Sequence, residues 1–179
     1  MERRDLLLEF LRTRRSIRRF RPDPVDDEIV LKILDIARFA PSGHNYQPWE
    51  FIIIRSRDTI EKLGNLRRDS RPLLNAPMGI LVVCDKEITP TTYQLDGANV
   101  TMYIMLAAHA LGLGTVWLHT LFDAEHVRNI QEILGIPPNK VPISLIAIGW
   151  PNERPSPKSR KPLEELVHCE KYGRKCLKQ

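Results

Sequence analysis

The stretch from Thr92 to Leu111 constrains the fold more than any other part of the sequence. Val100, Met102, Tyr103, Ile104, Met105, Leu106, Ala107 and Ala108 follow one another with no charged residue between them. A helix over this span is apolar nearly all round and must be covered on every side. With 179 residues the chain is long enough for one domain with a real core and too short for two comfortable ones. A domain of that size can bury such a helix only at its centre or against a second subunit. The span from Val100 to Leu111 is too short to cross a bilayer and carries His109. Gly112-Leu113-Gly114 caps it.

Other elements can be read around this helix. Residues 4–12 predict a short helix with Leu6, Leu7, Phe10 and Leu11 on one side. Arg21-Pro22-Asp23-Pro24 breaks the chain. Asp26 is placed to cap a second helix, with Asp27 and Glu28 in its first turn and Ile29, Ile33, Leu34 and Ala37 as its buried stripe, ending at Pro41. Trp49 to Arg55 reads as a strand buried on both faces, and Met78 to Cys84 as a second. A charged helix is expected over Thr59 to Arg67, and Pro72 and Pro77 bracket a loop. Thr115 to Leu118 is a short strand, Asp123 caps a helix that runs to Leu134, and Val141 to Gly149 is the last strand. Trp150 to Pro162 reads as an extended basic arm over a surface, with a short element between Leu163 and Tyr172. The order is that of a mixed α/β (α+β) domain. One domain over 1–179 is expected, its C-terminal basic arm at about 151–179.

Apolar residues make up 42% of the chain, so it should fold as a globule. The net charge of +5 points to an anionic partner, which phosphate, nucleic acid or an acidic membrane would each satisfy. No signal peptide is visible at Met1-Glu2-Arg3-Arg4-Asp5. Cys84, Cys169 and Cys176 form an odd, sparse set that fits a reduced cytoplasm, and a cytoplasmic location is expected. Cys169 and Cys176 have neither zinc-like spacing nor partners, so no metal is expected.

Four stretches could carry chemistry. Arg14-Arg15-Ser16-Ile17-Arg18 lies in a segment from Arg12 to Arg21 that holds six arginines and no acid. Arginine offers a phosphate a planar fork of donors, and Ser16 adds a hydroxyl. A solvated basic stretch or a nucleic-acid arm is the equal alternative. No glycine signature follows a strand, so P-loop and dinucleotide-fold readings do not apply. Ser42, His44, Asn45 and Gln47 crowd polar groups into a proline- and glycine-containing loop ahead of a strand, a favoured place for binding residues. Gly112 to Thr120 permits close backbone approach, although a helix cap followed by a core strand would look the same. Lys158-Ser159-Arg160-Lys161 taken alone is a solvated basic tail. His109 in its apolar helix is a satisfied core residue more often than a ligand.

Together these stretches resemble the nitroreductase family of FMN-dependent oxidoreductases, from about Arg12 to His168. The marks are Arg14-Arg15-Ser16-Ile17-Arg18-Arg19-Phe20, then Ala40-Pro41-Ser42-Gly43-His44-Asn45-Tyr46-Gln47-Pro48-Trp49-Glu50-Phe51, then Gly112-Leu113-Gly114-Thr115, then Arg160-Lys161-Pro162-Leu163-Glu164-Glu165. The resemblance implies an interwoven homodimer with two FMN sites at its interface and a nitroreductase-like mixed sheet flanked by helices. Arg14 and Ser16 would hold the FMN phosphate with Lys158 and Arg160. Arg15 would lie along the ribityl chain, and Arg18 would approach the N1–C2=O edge as the catalytic cation. Pro41, Ser42, Gly43 and Asn45 would come from the other subunit. Backbone groups of Trp117, Leu118, His119 and Thr120 would face the flavin edge near N5. Where better-known members carry an amide and a lysine, this chain reads Asp69-Ser70-Arg71-Pro72, so no role transfers there.

The implied activity is electron transfer from NADH or NADPH through FMN to a small acceptor such as a nitroaromatic or quinone, in ping-pong order, with no side-chain acid or base required. Neither a nucleic-acid nor a membrane partner is expected. Two other readings remain at this point. The same scaffold could carry reductive dehalogenation or synthesis of the cobalamin lower ligand, or the Arg12–Arg21 stripe could bind nucleic acid with steep salt dependence.

Overall fold

The structure is a computed structural model that describes residues 2–176. Its centre is a four-stranded antiparallel sheet in the order β1-β2-β4-β3, formed by β1 (Trp49–Ile54), β2 (Met78–Asp85), β3 (Gly114–His119) and β4 (Lys140–Gly149). Trp49 faces Cys84, Met78 faces Ile148, and Gly114 faces Gly149. The β2–β4 ladder shifts register between Val82 and Val83, opposite Ser144 and Pro142. A bulge there admits a proline, which cannot donate to a ladder.

Side chains alternate across the central strand because a strand has a period of two. Met78, Ile80, Val82 and Cys84 point to one face, where α2 (Asp27–Ala37) and α4 (Tyr93–Ala110) supply Val30, Ile33, Ala37, Val100, Ile104 and Met105. Leu81 and Val83 point to the other face, toward α3 (Arg57–Asn65) and α5 (Ala124–Leu134), which supply Ile60, Leu63 and Ile130. Both faces are therefore covered, as the continuous apolar runs of β2 and β4 required. Helix α4 lies close on the sheet at Gly97, where a Cβ would fall 2.7 Å from Ile143.

Several expectations need correction. Strand β1 is an edge strand paired only to β2, so Trp49 and Ile54 are buried while Glu50 and Ile53 are open. Helix α2 stops at Ala37 rather than at Pro41. Ala40 precedes a proline and is pushed out of helical conformation, and the chain turns over the three residues before it. Asp26 holds the N-cap position of α2 but makes no capping hydrogen bond. In contrast, Asp123 accepts the His126 N–H at 2.7 Å and does cap α5. Cys169 and Cys176 are joined by a disulfide, leaving only Cys84 free among the described residues. This pair is bonded, contrary to the reduced, unpaired cysteines expected from their number and spacing. Among the described residues no helix is long and apolar enough to cross a membrane.

Within one chain, α4 is not covered all round. Leu95 is 66% exposed, and Met102 and Tyr103 are open on the same side. Helix α1 (Arg3–Thr13) buries no residue, and Leu6, Leu7, Leu8 and Leu11 are each more than half exposed.

Candidate active site

The arginine segment is a fixed strap. The Ile17 N–H donates to Thr115 O at 2.9 Å, which sets Ser16 beside Thr115 in a parallel bridge at the start of β3. On its other side, Arg21 N–H donates to Trp150 O at 2.8 Å and Asn152 N–H to Arg19 O at 2.9 Å. The N–H groups of Arg18 and Arg19 both donate to Oε1 of Glu153. Ile17 and Phe20 are buried and anchor the strap. Gly114 makes this approach possible, because a Cβ there would lie 2.8 Å from the Ile17 side chain.

The strap and the tail enclose a cavity of about 210 Å³ bordered by Arg14, Arg15, Ser16, Arg18, Lys158 and Arg160. Arg14 borders this cavity and a neighbouring one beside Thr13 and His109, and its Nη1 is buried without a hydrogen-bond partner. Burial, followed by the nearby Arg15 and Arg160 cations, pushes the Arg14 guanidinium below its ordinary pKa. A half-buried guanidinium with an unpartnered nitrogen among like charges is costly unless an anion joins it. The one carboxylate on the cavity wall, Glu153, is committed to main-chain N–H groups. This donor set fits a phosphate. Arg15 is turned back toward the Arg12 and Arg14 carbonyls, the latter at 2.7 Å, so its guanidinium is partly committed to the end of α1.

A second cavity, about 690 Å³, adjoins the first, and Arg18 forms part of both walls. Its floor is Val116, Trp117 and Leu118 of β3, with His119 at the end, and its far wall is a 3-10 helix over Arg68–Asn75. The Asn75 side chain donates to Arg18 O at 3.4 Å, tying the two walls together. Thr120 does not border this cavity. Its buried hydroxyl donates to Pro142 O at 2.8 Å, inside the sheet.

The loop at Pro41–Gln47 lies elsewhere. Pro41, Ser42, Gly43 and Asn45 border neither cavity of their own chain. The loop is held at the start of α4, where Asp96, only 3% exposed, accepts the Gly43 N–H and the Thr92 hydroxyl, each at 2.9 Å. Asn99 donates to Pro41 O at 3.2 Å. His44, Asn45 and Gln47 have φ of 49°, 60° and 48°. Left-handed conformations at non-glycine residues cost energy and persist only where surrounding contacts enforce them. The Ser42 hydroxyl is occupied by the Gln47 N–H at 3.0 Å.

The sequence matches the model of the nitroreductase family over residues 11–101 and 67–150. A Methanothermobacter thermautotrophicus protein named for NADH dehydrogenase and NAD(P)H nitroreductase is 34% identical, over 93% of this chain and 87% of its own length. An Archaeoglobus fulgidus protein of the same name is 37% identical, over 82% and 86%. This chain belongs to the nitroreductase family. A solved FMN-dependent nitroreductase from Clostridium difficile R20291 superposes with a TM-score of 0.85 at 30% identity, covering 92% of this chain and 99% of that one.

Against the nitroreductase pattern, the structure brings Arg14, Arg15, Ser16, Arg18, Lys158 and Arg160 to one cavity and Arg18, Trp117, Leu118 and His119 to the next. Sequence reasoning missed Glu153, Asn75 and Asp96. Glu153 did leave a signal, as the one acid between Trp150 and Pro162. Asp96 left another, as an acid at the head of an otherwise apolar helix.

Proposed function

We propose that this single-domain nitroreductase-family chain is an FMN-dependent NAD(P)H oxidoreductase that reduces a small acceptor such as a nitroaromatic or quinone. The observation that carries this is the convergence of Arg14, Arg15, Ser16, Lys158 and Arg160, with one Arg14 nitrogen unpartnered, on a cavity that Arg18 joins to a larger one. Arg14, Ser16, Lys158 and Arg160 hold the FMN phosphate by charge-assisted hydrogen bonds. Arg15 lies along the ribityl chain. Arg18 sets its cation against the N1–C2=O edge of the ring, where it offsets developing negative charge. Trp117, Leu118 and His119 present backbone groups to the ring edge. FMN held there would supply hydride and electron transfer between NAD(P)H and the acceptor. Donor and acceptor use the larger cavity in turn, so the kinetics are ping-pong.

The enzyme works as a homodimer. The open apolar surfaces of α1 and α4 support this, because faces of this kind call for a partner. The loop with Pro41, Ser42, Gly43 and Asn45, absent from the cavities of its own chain, lines those of the other subunit.

Titrating FMN and riboflavin, which lacks the phosphate, into the apoprotein tests the reading. FMN should bind far more tightly, and Arg14→Gln should weaken FMN by about tenfold or more while leaving riboflavin unchanged. Equal affinity for both flavins in the unaltered protein would contradict it.

A further inference from the structure

We infer that the larger cavity recognises a carboxylate or phosphate on the molecule it takes, through Arg68 and Arg71. This rests on the proposed FMN-dependent reductase activity and narrows its substrate class. The segment that carries it departs from the family pattern, so the family supplies no role for it.

A 3-10 helix has three residues per turn, so side chains three apart stand one above the other. In Arg68–Asn75 and the residue after it, Ser70, Leu73 and Ala76 are buried at 4%, 0% and 3% exposure and form the ridge that packs inward. Arg68 and Arg71 stand on a different ridge. Both are exposed, and both border the cavity that Arg18 also borders. Among the described residues none of these three guanidiniums pairs with a carboxylate, whereas the neighbouring Arg57 and Arg67 pair with Glu61 and Asp123. Asp69 is the one acid on the wall. Three cations against one acid focus a positive field into a concave site. The arrangement suits a molecule with an anionic group at its edge, and guanidinium forks match such groups in geometry. That chemistry has two sources, an acid group on the acceptor or the extra phosphate that distinguishes NADPH from NADH.

The test uses FMN-loaded protein and ratios of kcat/KM. One arm compares para-nitrobenzoate with para-nitrobenzamide at fixed NADH. The other compares NADPH with NADH at fixed menadione. In the unaltered protein the charged member of at least one pair should be favoured by about tenfold at low salt, falling toward about threefold or less in Arg68→Gln/Arg71→Gln. Salt at about 0.5 M should narrow the preference in the same direction. Arg71→Glu should invert it. The pair that responds identifies the source. Equal kcat/KM within both pairs, or a preference that survives the double substitution, overturns the inference. Protein that holds no FMN, or turns over none of the four combinations, overturns the reductase reading and this inference with it, and differs visibly from equal rates.

Discussion

The backbone N–H of Arg18 donates to the carboxylate of Glu153, and the next N–H, from Arg19, reaches the same oxygen at 3.1 Å. The acid therefore holds the arginine strap in place while sitting on the wall of the cavity that Arg14, Arg15, Lys158 and Arg160 border. Its two effects on that cavity oppose each other, since its charge repels phosphate while its hydrogen bonds fix Arg18.

Separating these effects gives the first prediction. Glu153→Gln keeps an acceptor and removes the charge, so it should bind FMN at least as tightly as the unaltered protein. Glu153→Ala removes both hydrogen bonds and should cost about 1–3 kcal/mol. In a chain of this size that lowers the thermal midpoint by roughly 2–4 °C per kcal/mol. Paired melting curves and FMN titrations of the two variants check this. Equal FMN affinity in both would show that the strap does not depend on Glu153.

Gly114 gives the second. A Cβ at this position meets Ile17 at 2.8 Å, closer than carbon atoms pack. Gly114→Ala must push the strap off β3, and overpacking of this kind costs about 1–3 kcal/mol. Arg14, Ser16 and Arg18 move with the strap, so FMN affinity should fall along with the melting temperature. Unchanged FMN affinity in a folded Gly114→Ala protein would separate the strap from the cofactor site.

Histidine protonation sets the pH dependence. Burial, and then the adjacent Arg67, push His126 below the ordinary histidine pKa, against the weaker opposite pull of Asp123 and a hydrogen bond to the His119 backbone. His109 is lowered too, by burial first and Arg14 second, while it stacks on Phe10 with centroids 4.9 Å apart. The unfolded chain takes up protons at about pH 6.5, before the folded chain does. Stability from these histidines is complete above that pH and is lost as pH falls below it toward the folded values. The melting temperature should therefore drop between about pH 7.5 and about pH 5.5, and His126→Gln should flatten the drop. An identical slope in the variant would remove His126 from the explanation.

The thiols give a counting test. The native protein should show no fast-reacting thiol, because Cys84 is buried with its thiol pushed up to about 12 by burial and Asp96, and Cys169 and Cys176 are bonded to each other. Mild reduction should expose the two tail thiols and leave the melting temperature nearly unchanged, since no residue from Leu163 to Cys176 is buried. Two reactive thiols before reduction would contradict the pairing.

Much of the architecture could be read from sequence, and what could not was tertiary. The β2 run reads as buried and is, because helices cover both sides of the sheet. The apolar run of β1 looked the same, yet only its position at the edge decides its exposure. The apolar girth of α4 was legible, while which strip stays open depends on where the sheet ends. In the candidate site, the chemistry of the arginine strap marks a possible anion site, while the tail bases join it only through the family resemblance. Glu153 and Asp96 stand out in sequence only as isolated acids, and their partners are hidden because each acts on a backbone N–H distant in sequence. The 3-10 helix over Arg68–Asn75 runs into the stretch read as a loop bracketed by Pro72 and Pro77, and its three-residue period, which aligns Arg68 with Arg71, belongs to the folded backbone.

The central claim is that the strap from Arg14 to Arg18 is one wall of an FMN site used by NAD(P)H. The most direct measurement is the visible absorption spectrum of the purified protein, reconstituted with FMN if needed, during anaerobic addition of NADH or NADPH and then of a nitroaromatic. The account predicts a yellow protein that bleaches with the nicotinamide and recovers its colour with the acceptor. A protein that stays colourless after incubation with FMN, or a yellow one that neither nicotinamide bleaches, would contradict it.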